Sequence, residues 1–147
     1  MEGDKSVSAG DYSTTELMSL LLREPDTVGD IGFDTPSEAG AIPTRLARAM
    51  KYKKVTAPEL VKRTGLSKSY VYQMLDGTRL PGRDVLLRIA FELNLGLQEI
   101  QRLLTCAGRG RLYPKVRRDA AIIACINKRM TTEQTEEFLK GIGEERL

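Results

Sequence analysis

The chain has 147 residues, of which 41% are apolar, and this composition suits one domain or a small domain with appendages. It contains no histidine, and Cys106 and Cys125 do not have the spacing of metal ligands, so mixed Cys/His zinc fingers and Ser-His-Asp catalysis are excluded. No run of about 18 apolar residues occurs, and the first residues lack an apolar signal segment, so we expect a cytoplasmic protein without a membrane span.

The net charge of +3 conceals an uneven distribution along the chain. Residues 1–40 carry nine acids and two basic residues, residues 41–113 carry fourteen Lys and Arg and five acids, and residues 114–147 are nearly balanced. The middle segment therefore has a net charge of +9, which is the electrostatic footprint expected for a partner with a phosphate backbone. A solvated basic surface would have the same composition, so charge alone leaves both interpretations open.

The acidic N-terminal segment, residues 1–41, is predicted to be a mostly disordered arm and linker. Residues 1–13 are small, polar and acidic, which predicts disorder. Residues 14–23 have apolar positions spaced for a short amphipathic helix, and residues 25–43 are rich in Gly, Pro and Asp, as in a linker. The arm could cover the basic middle segment or dock on a regulatory protein partner, but we favour the simpler interpretation of a solvating tail.

A pair of short helices with a tight turn between them is predicted at residues 56–76. Thr56 and Glu59 have the spacing of a capping box, which begins the first helix. Gly65 can take the positive φ that ends a helix, and Ser67 is a good N-cap for the second helix. The buried stripe of the second helix is predicted to be Val71, Met74 and Leu75.

The outward side of the second helix, residues 67–76, carries side chains suited to contact DNA. Gln and Lys can hydrogen-bond to base edges, Ser can reach bases or phosphates, and Tyr can pack on sugar or on a thymine methyl group. The predicted base-reading residues are Lys68, Ser69, Tyr72 and Gln73. The predicted contacts to the DNA backbone are Tyr70, Thr78, Arg79 and Arg83.

Three further helices complete a predicted domain over residues 42–108. One precedes the pair, at residues 44–53, and two follow it, at residues 83–93 and 97–106. Each has apolar residues at helical spacing on one side, which predicts that all of them pack around a common core. The domain is therefore expected to contain five helices.

These elements resemble the helix-turn-helix domain of the phage repressor/Cro family, which has the lambda-repressor-like fold. The matching elements are the capped helix 57–64, the turn Gly65-Leu66-Ser67, the packing position Val71, and the tail formed by Asp76, Gly77, Arg79 and Pro81. The resemblance covers roughly residues 42–108. It implies an all-α five-helix domain that binds paired half-sites of double-stranded DNA as a homodimer. Two positions depart from the family pattern: Ala57 replaces a polar residue that can touch a phosphate, and Val61 replaces a small Ala.

The C-terminal segment, residues 109–147, is predicted to form a helical hairpin. Its first helix runs from Pro114 to about Arg129 and its second over residues 132–140. The residues assigned to packing or to a dimer contact are Val116, Ile122, Ile123, Ile126, Phe138 and Leu139. The first helix is apolar over more than half of its circumference, so the hairpin packs on its own domain, on a second copy of the chain, or on both.

The leading functional hypothesis is a sequence-specific DNA-binding transcriptional regulator, with repression the expected direction of control. The alternative is a protein-interaction adaptor or antitoxin-like regulator that uses the same fold and the apolar C-terminal helix. Enzymatic activity is not expected, because the sequence has no histidine, P-loop, Gly-x-Ser-x-Gly motif or paired-cysteine metal motif. We expect no cofactor, no metal ion and no membrane partner.

Overall fold

The computed structural model describes residues 7–32 and 41–147. The chain divides into two compact units, residues 1–35 and residues 36–147. Within the described ranges, every helix is too short or too polar to span a membrane.

The described residues of the N-terminal unit contain one α-helix, α1, Thr14–Arg23, at the position that the sequence predicts. Ser13 begins this helix as its N-cap, because the Glu16 backbone N–H donates to the Ser13 side-chain oxygen at 3.0 Å. The sequence analysis did not predict four short elements, which are two paired parallel strands, β1 (Val7–Ser8) and β2 (Ile31–Gly32), and 3-10 helices at Ala9–Asp11 and Pro25–Asp30. The remainder of the predicted disordered segment and linker, residues 1–6 and 33–40, lies outside the described residues.

The larger unit is all-helical over its described residues, which confirms the predicted fold class. Its helices are α2 (Ala41–Lys53), α3 (Ala57–Thr64), α4 (Lys68–Asp76), α5 (Arg83–Glu92), α6 (Leu97–Cys106), α7 (Arg117–Asn127) and α8 (Thr132–Gly141). Helices α3 to α6 lie within one residue of their predicted bounds. Helix α2 begins earlier than predicted, because Pro43 is tolerated in a first turn, where no backbone N–H is needed.

Helix α7 begins at Arg117 rather than at Pro114, as the sequence analysis had predicted. The Val116 N–H donates to the Tyr113 carbonyl at 3.0 Å, so the residues between them form a turn instead of the first turn of the helix. Val116 itself has an extended backbone, with φ −95° and ψ 122°, and it flanks the helix as its N-cap. The apolar pattern alone did not reveal this turn, because Val116 has the spacing of a helical residue.

A single core joins the helix-turn-helix region to the C-terminal helices. Its fully buried side chains include Leu46, Leu60, Val71, Met74, Leu86, Ile89, Leu104, Ile122 and Leu139. Because α7 and α8 contribute to the same core, the C-terminal hairpin packs on its own domain. Among the residues assigned to packing or a dimer contact, Ile122, Ile126 and Leu139 are buried, Ile123 is partly buried, and Val116 and Phe138 remain 48% and 42% exposed.

An ion pair between Arg83 and Asp119 also joins α5 to α7. The Arg83 guanidinium donates to the two Asp119 carboxylate oxygens at 3.0 and 2.8 Å, and the Asp119 side chain is only 7% exposed. The same carboxylate accepts the Tyr113 backbone N–H at 2.9 Å, which fixes the turn ahead of α7. Burial raises the pKa of Asp119, but the hydrogen bonds from Arg83 and Tyr113, together with the positive charges of Arg83 and Arg118, outweigh burial, so this pKa lies below its ordinary value.

We expect Asp119→Asn to lower the free energy of unfolding by about 2 kcal/mol at pH 7, because Arg83 loses a charged partner in a largely buried position. Since the folded-state pKa of Asp119 is lowered, its contribution is complete above the unfolded pKa of about 4 and is lost as the pH falls through the folded value. The difference in stability between the wild type and Asp119→Asn should therefore shrink as the pH falls below about 4. Urea denaturation across this pH range measures the difference.

The matched control is Asp84→Asn, which removes a carboxylate that accepts from Arg118 at 3.1 Å but is 46% exposed. Because the Asp84 carboxylate is hydrated, this pair should contribute less than about 1 kcal/mol at pH 7. Equal losses for the two variants would contradict the role given to the buried Arg83–Asp119 pair.

Candidate nucleic-acid interface

The turn between α3 and α4 is closed by Thr64 and Gly65. Thr64 Oγ1 donates to the Leu60 carbonyl at 2.7 Å and accepts the Leu66 N–H at 3.3 Å, so one buried hydroxyl bonds to the backbone on both sides of the turn. Gly65 ends α3 with φ +73°, which lies in the left-handed region. Glycine adopts this conformation without strain because it has no Cβ. The sequence analysis identified Gly65 but missed Thr64, whose hydroxyl gives no periodic signal.

Helix α4 lies with one face against the core and the opposite face exposed. Val71 and Met74 are completely buried. Ser67 caps the helix by accepting the Tyr70 backbone N–H at 3.0 Å, which fixes its first turn. The residues predicted to read bases have different exposures: Lys68, Ser69 and Tyr72 are exposed, and Gln73 is half-buried.

Gln73 is held by Arg79, which lies in the loop after α4. The Arg79 Nε–H donates to Gln73 Oε1 at 3.1 Å, and the Arg79 backbone N–H donates to the Gln73 carbonyl at 3.1 Å. The guanidinium carbon of Arg79 lies 4.8 Å from the centre of the Tyr70 ring, in a cation–π arrangement. The sequence analysis gave these three residues separate roles, whereas the structure connects them. Because Gln73 Oε1 already accepts from Arg79, the amide NH2 group is the donor that remains for another partner.

Lys68 and Tyr72 lie one helical turn apart on the exposed face of α4. Lys68 Nζ is 5.8 Å from the centre of the Tyr72 ring, which is within the range of a cation–π interaction. The Tyr72 side chain is 41% exposed. The pair therefore presents a cation and an aromatic surface together at the start of the helix.

The loop after α4 is ordered by Asp76. Its carboxylate accepts the Thr78 backbone N–H at 2.8 Å and also accepts the Thr78 hydroxyl. These two hydrogen bonds, the hydroxyl bond first, hold the pKa of Asp76 below its ordinary value. Both donors of Thr78 are therefore used inside the loop, although the sequence analysis had predicted that Thr78 contacts a phosphate.

Arg83, which the sequence analysis predicted to hold a phosphate, instead bonds to the protein itself. Besides Asp119, its guanidinium donates to the backbone carbonyls of residues 110–111 at 3.2 and 3.0 Å. Arg109 likewise donates to the Pro81 carbonyl at 3.0 Å. Sequence reasoning missed these contacts because the bonded residues are 27 to 36 positions apart and no local pattern marks them.

In a comparison with protein families, residues 45–103 match a Cro/C1-type HTH DNA-binding domain. This segment contains both helices of the pair, the turn between them and most of α6. It is a helix-turn-helix domain of the phage repressor/Cro type, as the sequence resemblance predicts, and the match supports a DNA-binding regulator. Comparisons with curated proteins and with solved structures gave no match.

We expect Gly65→Ala to lower the free energy of unfolding by about 1 kcal/mol, the cost of placing a residue with a Cβ in the left-handed region. No heavy atom lies within 4 Å of a Cβ built at Gly65, so the loss would come from the backbone conformation and not from a clash. Thermal and urea denaturation measure it.

Gly141→Ala is the matched control, because its added Cβ also meets nothing within 4 Å, while its backbone is helical. There the substitution should stabilise the protein by about 0.5 kcal/mol. A neutral or stabilising Gly65→Ala would contradict the assigned strain in the turn.

Proposed function

We propose that the protein is a sequence-specific transcriptional regulator, acting as a repressor in the cytoplasm, that inserts α4 into the major groove of double-stranded DNA. The observation that carries the proposal is the exposed face of α4, together with the Gln73 amide held in one orientation by Arg79. An α-helix fits the major groove, where each base pair presents a distinct pattern of donors and acceptors. The helix-turn-helix match over residues 45–103 supports the same mode of binding.

Four side chains of α4 contact base edges in this proposal. Lys68 donates to the N7 and O6 acceptors of guanine, and Ser69 donates to or accepts from a neighbouring base. The Tyr72 ring packs on a thymine methyl group. Gln73 donates its NH2 hydrogens to an acceptor such as purine N7, because its Oε1 is oriented toward Arg79.

The residues assigned to the DNA backbone divide into direct and indirect contributors. Arg79 binds a phosphate through its terminal nitrogens. The Tyr70 ring packs against the Arg79 guanidinium, and the Tyr70 hydroxyl contacts the sugar-phosphate chain. Thr78 orders the loop that carries Arg79, and Arg83 secures α7 against α5, so both act on DNA binding through structure. This division replaces the phosphate contacts that the sequence analysis assigned to Thr78 and Arg83.

We further propose that the protein binds paired half-sites as a homodimer. Dimers of this class place two recognition helices about one helical turn of DNA apart. Val116 and Phe138 are the exposed members of the C-terminal apolar set and are the residues we assign to the contact between copies. The adaptor alternative has less support, because the apolar face of α7 that would carry it is largely buried in the protein itself.

Selection from a randomised duplex pool, followed by fluorescence anisotropy across a salt series, tests the proposal. We expect wild-type protein to enrich a paired motif and to bind it with a strong dependence on salt. Lys68→Ala and Gln73→Ala should each weaken binding to the selected site by about 1–3 kcal/mol and relax the preference at one base position. Equal losses on selected and random DNA would remove the residue from base reading, and no binding by folded protein at low salt would overturn the proposal.

Two substitutions at Arg79 separate the effect of its charge from the effect of its hydrogen bond to Gln73. Arg79→Ala removes both, so it should reduce the slope of log affinity against log salt by about one and also relax the base preference assigned to Gln73. Arg79→Lys keeps the cation but loses the Nε–H donor and the planar stack on Tyr70. We expect it to retain the wild-type salt slope while relaxing the same base preference.

Gln73→Ala in the Arg79→Lys background provides the control for this coupling. If Arg79 acts on base preference through Gln73, the second substitution adds little to the relaxation already caused by the first. Fully additive effects would show that the two residues contact DNA independently.

A further inference from the structure

A cavity of about 430 Å³ lies between α2 and α6. This volume is in the range of pockets that bind small molecules. Its lining comprises Arg45, Leu46, Arg48, Ala49, Tyr52 and Lys53 on the α2 side, Leu95 before α6, and Glu99, Arg102 and Leu103 on α6. None of these residues belongs to α4 or to the loop after it, so the cavity is separate from the surface proposed to bind DNA.

The inner wall of the cavity is apolar. Leu46, Leu95 and Leu103 are at most 6% exposed, and Ala49 is half-buried beside them. The small side chain of Ala49 leaves room that a larger residue at this position of α2 would fill. The wall therefore suits an aliphatic or aromatic body rather than a fully hydrated ion.

The remaining lining is strongly basic. Four cationic side chains, those of Arg45, Arg48, Lys53 and Arg102, accompany a single acid, Glu99. The Glu99 carboxylate accepts the Gly96 backbone N–H at 3.3 Å and so serves as part of the cap of α6. Tyr52 adds an aromatic ring that is 82% exposed. Cations next to an apolar wall complement a molecule that carries a negative group on an apolar body.

We propose that this cavity binds a small amphipathic anion, namely a carboxylate attached to an aliphatic or aromatic chain. The apolar body lies against the leucines and Ala49, and the carboxylate meets Arg48, the exposed cation among the lining residues of α2. This inference rests on the cavity alone and does not depend on the proposed DNA-binding function.

Isothermal titration calorimetry of the full chain without DNA tests the proposal with three probes. Octanoate carries the predicted charge on an apolar chain, octylamine carries the opposite charge on the same chain, and inorganic phosphate carries negative charge without an apolar body. We expect saturable binding of octanoate and none of the other two. Octylamine binding equal to that of octanoate would overturn the role of the cations, and phosphate binding of equal strength would overturn the role of the apolar wall. Absence of octanoate binding would overturn the proposal as a whole.

Substitutions of two cavity residues test whether octanoate binds in this cavity. Ala49→Phe fills the space and should abolish octanoate binding, with circular dichroism and thermal denaturation confirming that the variant is folded. Arg48→Gln changes an exposed side chain and should weaken octanoate binding about tenfold, the loss expected for one charge-assisted hydrogen bond.

The matched control is Arg63→Gln on α3, which removes an exposed arginine that lies outside the cavity and pairs with Glu59 at 3.6 Å. Equal weakening by Arg48→Gln and Arg63→Gln, or unchanged binding by folded Ala49→Phe, would locate the binding elsewhere and overturn the proposal.

Discussion

The burial of Val71 and Met74 decides which side of α4 meets the solvent. Both side chains are completely enclosed, and exposing either of them by rotating the helix would cost about 1.5–3 kcal/mol. The positive φ of Gly65 and the Ser67 cap fix the point at which the helix begins. The display of Lys68 and its neighbours is therefore a consequence of core packing, and it exists before any DNA is present. A preorganised surface of this kind loses less conformational entropy on binding than one that must fold.

Arginine residues in the basic segment have two different physical roles. Arg79 lies exposed in a loop and stacks on Tyr70, whereas Arg83 and Arg109 donate to carboxylate or carbonyl groups of their own chain. The Arg83 charge is largely balanced by Asp119, so it adds little to the field at the surface. Arg109 bonds to a neutral carbonyl and keeps its full charge, so it still contributes to long-range attraction of an anion. The net charge of a segment therefore predicts the sign of the partner's charge, but it does not identify the residues that contact the partner.

The sequence predicts the helices and the family well because their signals are local. Capping residues such as Thr56 and Ser67, the glycine in the turn and the apolar spacing within each helix all act over a few positions. The phosphate contacts predicted for Thr78 and Arg83 do not depend on such local signals. They assume that a polar side chain outside the apolar stripe is available to bind DNA. The structure gives the donors of Thr78 to Asp76 and those of Arg83 to α7 and the segment before it. Which hydrogen-bond partner a side chain takes depends on three-dimensional proximity, and the spacing of residues along the sequence does not show this.

Helix α2 is the element that connects the cavity with α4. Its C-terminal half lines the cavity through Ala49 and Tyr52, and near its N-terminus Pro43 lies so close to the end of α4 that a Cβ added to Gly77 would be 3.5 Å from Pro43 Cγ. Leu46 is fully buried between these two ends. Because a close-packed interior does not deform continuously, a shift of α2 requires a second discrete packing of the core. A ligand in the cavity alters DNA affinity only if it prefers one of these packings, and DNA would then alter the affinity for the ligand by the same factor.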